Sequence, residues 1–141
     1  MDEKNTVALL KERLNKDSKD IEAALALANQ FYDTGDASQA IIYYRHALDI
    51  NPALPGALTD LGTMYWRNDD TGLAEQTFRK AIALDSGFGN AYINLGLFLQ
   101  HAKGNIAEAR AVWQQLLNAA PGHAAAGKAR ELLQETAGST H

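Results

Sequence analysis

The chain has 141 residues, of which 46% are hydrophobic, 8% aromatic and 21% charged, a composition that suits one globular domain with its own core and excludes an intrinsically disordered chain. Thirteen basic against seventeen acidic residues leave a formal charge of −4 with no long basic run, so no electrostatic footprint exists for a nucleic-acid backbone or an anionic membrane. The absence of cysteine rules out disulfides, thiol catalysis and cysteine-ligated zinc.

The N-terminus, Met1-Asp2-Glu3-Lys4, carries acids where a signal peptide carries base, and the apolar run Val7 to Leu10 is too short for a signal core or a membrane span. The expectation is a cytoplasmic protein. From Thr6 to Asn15, Val7, Leu10 and Leu14 fall on one stripe, which predicts an amphipathic helix. Lys16 to Asp20 form a linker whose Asp and Ser side chains suit helix N-caps. A helix from Ile21 to about Asp33 follows, with Ala24, Leu27, Ala28 and Phe31 on its apolar stripe and Gly35 placed for a left-handed cap.

Asp36 with Gln39 reads as a capping box, as does Asn105 with Glu108, and Asp70 aligns with them, so three hairpins are expected to share one punctuation. Asp69 takes the place of Gly35 and Gly104 in the middle hairpin. The helices that follow these caps are predicted over Ala37–Ile50, Thr71–Leu84 and Ile106–Ala119, and each sets a ring between small or aliphatic residues: Ala40/Tyr44/Ala47, Ala74/Phe78/Ala81 and Ala109/Trp113/Leu116. The first two triplets are 34 residues apart, and the third follows after one inserted residue. Small residues let helix backbones approach, so Tyr44, Phe78 and Trp113 are predicted to be buried between hairpins, with Gly62 and Gly96 at close helix contacts. The same shift sets Leu10 under Tyr44 and Leu14 under Leu48, which makes residues 5–20 a half repeat and its linker. Repeats are expected at 21–54, 55–88 and 89–123 within a single domain, 1–141. Residues 124–136 carry Ala125, Ala129, Leu132 and Leu133 on one face, as a capping helix should, and 137–141 read as a frayed tail.

Two motifs invite a chemical reading and do not sustain it. Gly122 to Lys128 has the spacing of a phosphate-binding loop, but Ala129 stands where Ser or Thr must ligate magnesium, and no strand is expected before it. His46, His101, His123 and His141 never pair at helical spacing, so they read as surface residues; His101 alone falls where its titration could tune binding. No catalytic residue, cofactor or metal is expected.

A 34-residue helix-turn-helix period with Leu-Gly, Tyr, Ala, Phe, Ala and Pro at fixed offsets resembles the tetratricopeptide repeat (TPR) family over about Ile21 to Gly122. It departs from the family pattern at Ala24, Leu58 and Tyr92, at Ser86 in place of the repeat-end proline, and at the insertion near Lys103-Gly104. The resemblance implies an all-α right-handed α-solenoid of antiparallel helix pairs, noncatalytic, binding a peptide or helical segment of another protein on a concave face lined by the first helix of each pair. Transferred by position, that face comprises Glu22, Leu25, Asn29, Tyr32 and Asp33, then Gly56, Thr59, Asp60, Thr63, Trp66 and Arg67, then Asn90, Ile93, Asn94, Leu97, Gln100 and His101. The strongest candidates are Asn29, Tyr32, Asp33, Thr63, Trp66, Arg67, Asn90, Asn94, Leu97 and His101. One subclass clamps a chaperone's C-terminal carboxylate with lysines, asparagines and an arginine. Here only Asn29 matches, beside Leu25, Asp60, Asn90 and Asn94, and Asp60 would repel such a ligand. Self-association into a homo-oligomer is the alternative reading. RNA binding would need a basic groove, and this one sets Arg67 against Glu22, Asp33 and Asp60.

Overall fold

The computed structural model describes residues 2–138, which form eight helices and no strand. They are α1 Glu3–Lys16, α2 Ile21–Thr34, α3 Ala37–Ile50, α4 Pro55–Arg67, α5 Thr71–Leu84, α6 Gly89–His101, α7 Ile106–Ala119 and α8 Ala126–Glu135. Three antiparallel hairpins, α2/α3, α4/α5 and α6/α7, stack in series, with α1 before them and α8 after. The all-α helical repeat expected from the periodicity is the fold observed. Of the tail, residues 139–141 lie outside the described residues.

The hairpins turn alike because each places one residue in the left-handed region: Gly35 at φ 82°, Asp69 at φ 62° and Gly104 at φ 63°. The next N–H then reaches back to a helix carbonyl, Asp36 to Phe31 and Asp70 to Tyr65, both at 2.9 Å. In the third hairpin Asn105 reaches Leu99, also at 2.9 Å, so the inserted residue is taken up inside the turn. The N-caps are less uniform than their sequence implied. Asp36 accepts from the Gln39 N–H at 3.2 Å and Asn105 from the Glu108 N–H at 3.0 Å, but Asp70 makes no such bond. Its carboxylate instead accepts from the Asn68 side-chain amide at 3.0 Å.

Tyr44, Phe78 and Trp113 lie between hairpins and are buried, as are the small or aliphatic residues that flank them. Each such ring is worth about 1.5–3 kcal/mol in burial. Gly62 and Gly96 make the close approach: a Cβ on Gly62 would stand 2.7 Å from the Phe78 ring, and one on Gly96 would overlap the Trp113 indole. The indole N–H points to the Ile93 carbonyl at 3.5 Å. On the rim, Glu75 accepts from Arg79 and Lys103, and Arg79 reaches across to Glu108, which ties the second hairpin to the third.

The two ends differ. Among the described residues α1 packs on α2 alone, and Val7, Leu10 and Leu14 remain half-buried. The linker after it is pinned by Arg13 on Asp20, 3.0 Å apart, and by the His46 Nε2, 2.6 Å from the Ser18 carbonyl oxygen. α8 begins at Ala126, two residues later than its apolar pattern suggested, because His123 to Ala126 is a turn. Arg110 closes it, donating to the Leu133 carbonyl at 2.6 Å and the Thr136 hydroxyl at 2.7 Å, so a cation sits at the negative end of the helix. His46 and His123 are half-buried at the surface and also structural: the His123 Nδ1 accepts from the Ala125 N–H at 2.9 Å. That bond, with Ala126 N–H on the His123 carbonyl, spends amides that a phosphate cradle would need, and no strand precedes the loop among the described residues.

Candidate functional site

The first helices of the hairpins, α2, α4 and α6, lie side by side, so residues at equal offsets form rows across them. One row is Tyr32, Trp66 and Gln100; the next is Asp33, Arg67 and His101; a third is Asn29, Thr63 and Leu97; a fourth is Ala26, Asp60 and Asn94. The structure gives these rows definite contacts. Tyr32 is half-buried with the Arg67 guanidinium over its ring at 5.2 Å, a cation–π geometry. Trp66 is half-buried too, edge-on to Phe98 at 5.5 Å between centroids, which fastens it to the core while leaving part of the indole on the surface.

The amides are less idle than expected. Asn29 Oδ1 accepts the Tyr44 hydroxyl proton at 2.6 Å, and Asn94 Nδ2 donates to the Thr63 hydroxyl at 3.3 Å. Both side chains keep further hydrogen-bonding positions. Leu97 is half-buried against the core, whereas Asp33, Asn90 and His101 are exposed. Two positions transferred to this face are buried instead. Thr59 turns inward with its hydroxyl on the Pro55 carbonyl at 2.8 Å, and Ile93 belongs to the core. Among the described residues no group of three or more His, Asp or Glu could hold a metal ion.

The burial of Asp60 is what the sequence did not show. Burial pushes its carboxyl up to about 6; the Tyr44 hydroxyl opposes that rise and the Asp33 charge adds to it. Burial, with the Asp60 charge next, also raises the Tyr32 phenol, and Arg67 partly offsets it. Because native Asp60 holds its proton more tightly than the unfolded chain, its contribution to stability is greatest below pH 3.8 and is lost as pH rises to about 6. The expected loss is on the order of 1 kcal/mol once solvent screening of a partly exposed group is allowed for. Denaturation of wild type and Asp60→Asn across this range checks it: the difference between the two curves should slope within that window and flatten above it.

The stacked hairpins and the rows on their first helices define a tetratricopeptide-repeat solenoid. Residues 5–137 match the family described as the Cilia and flagella-associated protein 70 middle TPR-like domain, and the chain belongs to that family. Among solved structures, MamA superposes with a TM-score of 0.75 at 20% identity, over 92% of this chain and 83% of that one. The TPR2B domain of yeast Sti1, described as a complex with pHsp70, superposes at 0.75 and 17% identity, over 85% and 98%. The first TPR of Spaghetti (RPAP3), described as bound to the HSP90 peptide SRMEEVD, gives 0.67 and 24%, over 86% and 96%. At these identities the likeness is one of fold. No curated protein matches the sequence. No described helix is long and apolar enough to cross a membrane.

Proposed function

We propose that the chain is a noncatalytic protein-interaction module that takes a peptide or helical segment of another protein along the face of α2, α4 and α6. The reading treats 1–141 as one TPR-like domain with repeats at 21–54, 55–88 and 89–123. The observation that carries it is the pair of half-exposed rings, Tyr32 and Trp66, at one offset on neighbouring helices, with the Asn29 and Asn94 amides beside them and Asn90 exposed on α6. Aromatic anchors ringed by polar groups are where binding energy concentrates. Two structural neighbours are described as complexes with Hsp90 and Hsp70 material, which supports a segment-binding role for this fold. The acidic tail of the HSP90 peptide SRMEEVD is not carried over as a ligand type, because Asp33 and Asp60 lie on this face and Arg67 is engaged on Tyr32.

Short random peptides displayed on phage and selected against the wild-type chain supply a probe. Trp66→Ala and Asn94→Ala are each expected to weaken the selected peptides by about 2 kcal/mol, with circular dichroism showing each variant folded even though Trp66→Ala gives up its packing on Phe98 and melts lower. In a Trp113→Phe background the Trp66 fluorescence should shift to the blue as peptide covers it. Selected peptides that leave the emission unchanged and tolerate both substitutions would place binding off this face.

A further inference from the structure

Where α2 meets the start of α4, the face opens into a cavity of about 220 Å³. Leu25, Leu54, Pro55 and Ala57 give it apolar walls, and Asn29, Tyr44 and Asp60 give it a polar end. Sites for whole small molecules run to about 300–1,000 Å³, so this one is sized for a single side chain.

The polar end lacks a cation. No Lys, Arg or His nitrogen lies within 4.0 Å of Asp60 among the described residues, although six other ion pairs form. α2 contains no Lys or Arg, the one basic side chain of α4 is Arg67, held over Tyr32, and α6 offers only His101 at its far end. The titratable groups facing Asp60 are Asp33 and Tyr32 from α2 and Tyr44 from α3; on α6, Tyr92 is turned away with its hydroxyl on the Ser86 carbonyl at 2.7 Å. A carboxyl taken from water without a counter-ion is costly to keep charged, and an arriving cation removes that cost.

We propose that this cavity receives a lysine or arginine side chain of the bound segment, with Asp60 as its counter-ion; the inference rests on the groove reading above. The aliphatic stem lies along Leu25, Leu54 and Pro55, as long cationic side chains do on apolar surface, while the charged head meets Asp60 and the remaining lone pair of Asn29 Oδ1. The Asp33 charge adds to the negative field around Asp60. The module thus selects a basic segment. Because Asp60 must be ionised to hold the cation, and its carboxyl titrates near 6, affinity falls as pH drops through that value.

The peptides selected on wild type test this. The expected result is a Lys or Arg at one shared position, with affinity reduced about tenfold or more when that residue becomes norleucine or when Asp60→Asn is tested. Wild type should also weaken between about pH 7.5 and about pH 5, while Asp60→Asn stays flat, its melting curve confirming that it is folded. Peptides that need Trp66 and Asn94 yet tolerate norleucine and Asp60→Asn would overturn the cation site and leave the groove reading standing. Peptides indifferent to all three substitutions, or no enriched peptides, would overturn both.

Discussion

Cutting Phe78 back to alanine is expected to destabilise the protein by about 3–5 kcal/mol, read from urea denaturation. Its ring is fully buried, lies against Gly62 and stands 6.0 Å from Phe98, so its removal leaves a void bounded by two hairpins that cannot close on it independently. That loss is a large part of the about 5–15 kcal/mol by which domains are stable, so the variant should sit near its unfolding threshold at physiological temperature. Phe78→Leu, which keeps most of the volume, should lose less than half as much. A cost for alanine below about 1 kcal/mol would show that the ring does not hold the hairpins together.

Gly96→Ala is expected to destabilise the chain by about 1–3 kcal/mol even though alanine is the better helix former. The added methyl would enter the Trp113 indole, which is completely buried and has no room to retreat. Trp113→Phe should relieve the clash, so the double variant should be more stable than the two single losses predict when added. Gly72→Ala is the control: nothing lies within 4 Å of the position its Cβ would take, and propensity alone should leave it neutral or slightly stabilised. If Gly96→Ala were stabilising, the close contact of α6 with α7 would not exist in solution.

The parts of this molecule that repeat were legible in its sequence. Tyr44, Phe78 and Trp113 were found because burial imposes one demand on each hairpin, and the demand recurs at a fixed interval. The features that escaped are those decided between elements. The sequence marks Asp60 only as a charge that would repel a carboxylate ligand, and it takes Leu25, Asn29 and Tyr44, from two other helices, to make it a half-buried carboxyl without a cation. Asp70 matched the cap pattern yet gave its carboxylate to Asn68, because a side-chain amide two residues away competes with the backbone. His46 and His123 found partners on loop backbone, Ser18 and Ala125, which no side-chain spacing reveals. On the candidate face, the offsets located Tyr32 and Trp66, but not the engagement of Asn29 and Asn94 with neighbours inside the protein.

The solitary seat of α1 on α2 makes the chain uneven in time as well as in space. Among the described residues every other helix touches at least two more, and α8 is clasped by Arg110, so the N-terminal helix can lift away at the loss of only its seat on α2 and the Arg13–Asp20 pair. In a stack where units lean only on their neighbours, opening proceeds from the weaker end inward. Backbone amides of α1 should therefore exchange with deuterium first, those of α2 and α3 afterwards, and those of α4 and α6 only when the whole array comes apart. The surface that carries Trp66 and Asn94 belongs to the last part to open, so a bound segment would rest on the stiffest portion of the protein while its leading helix breathes.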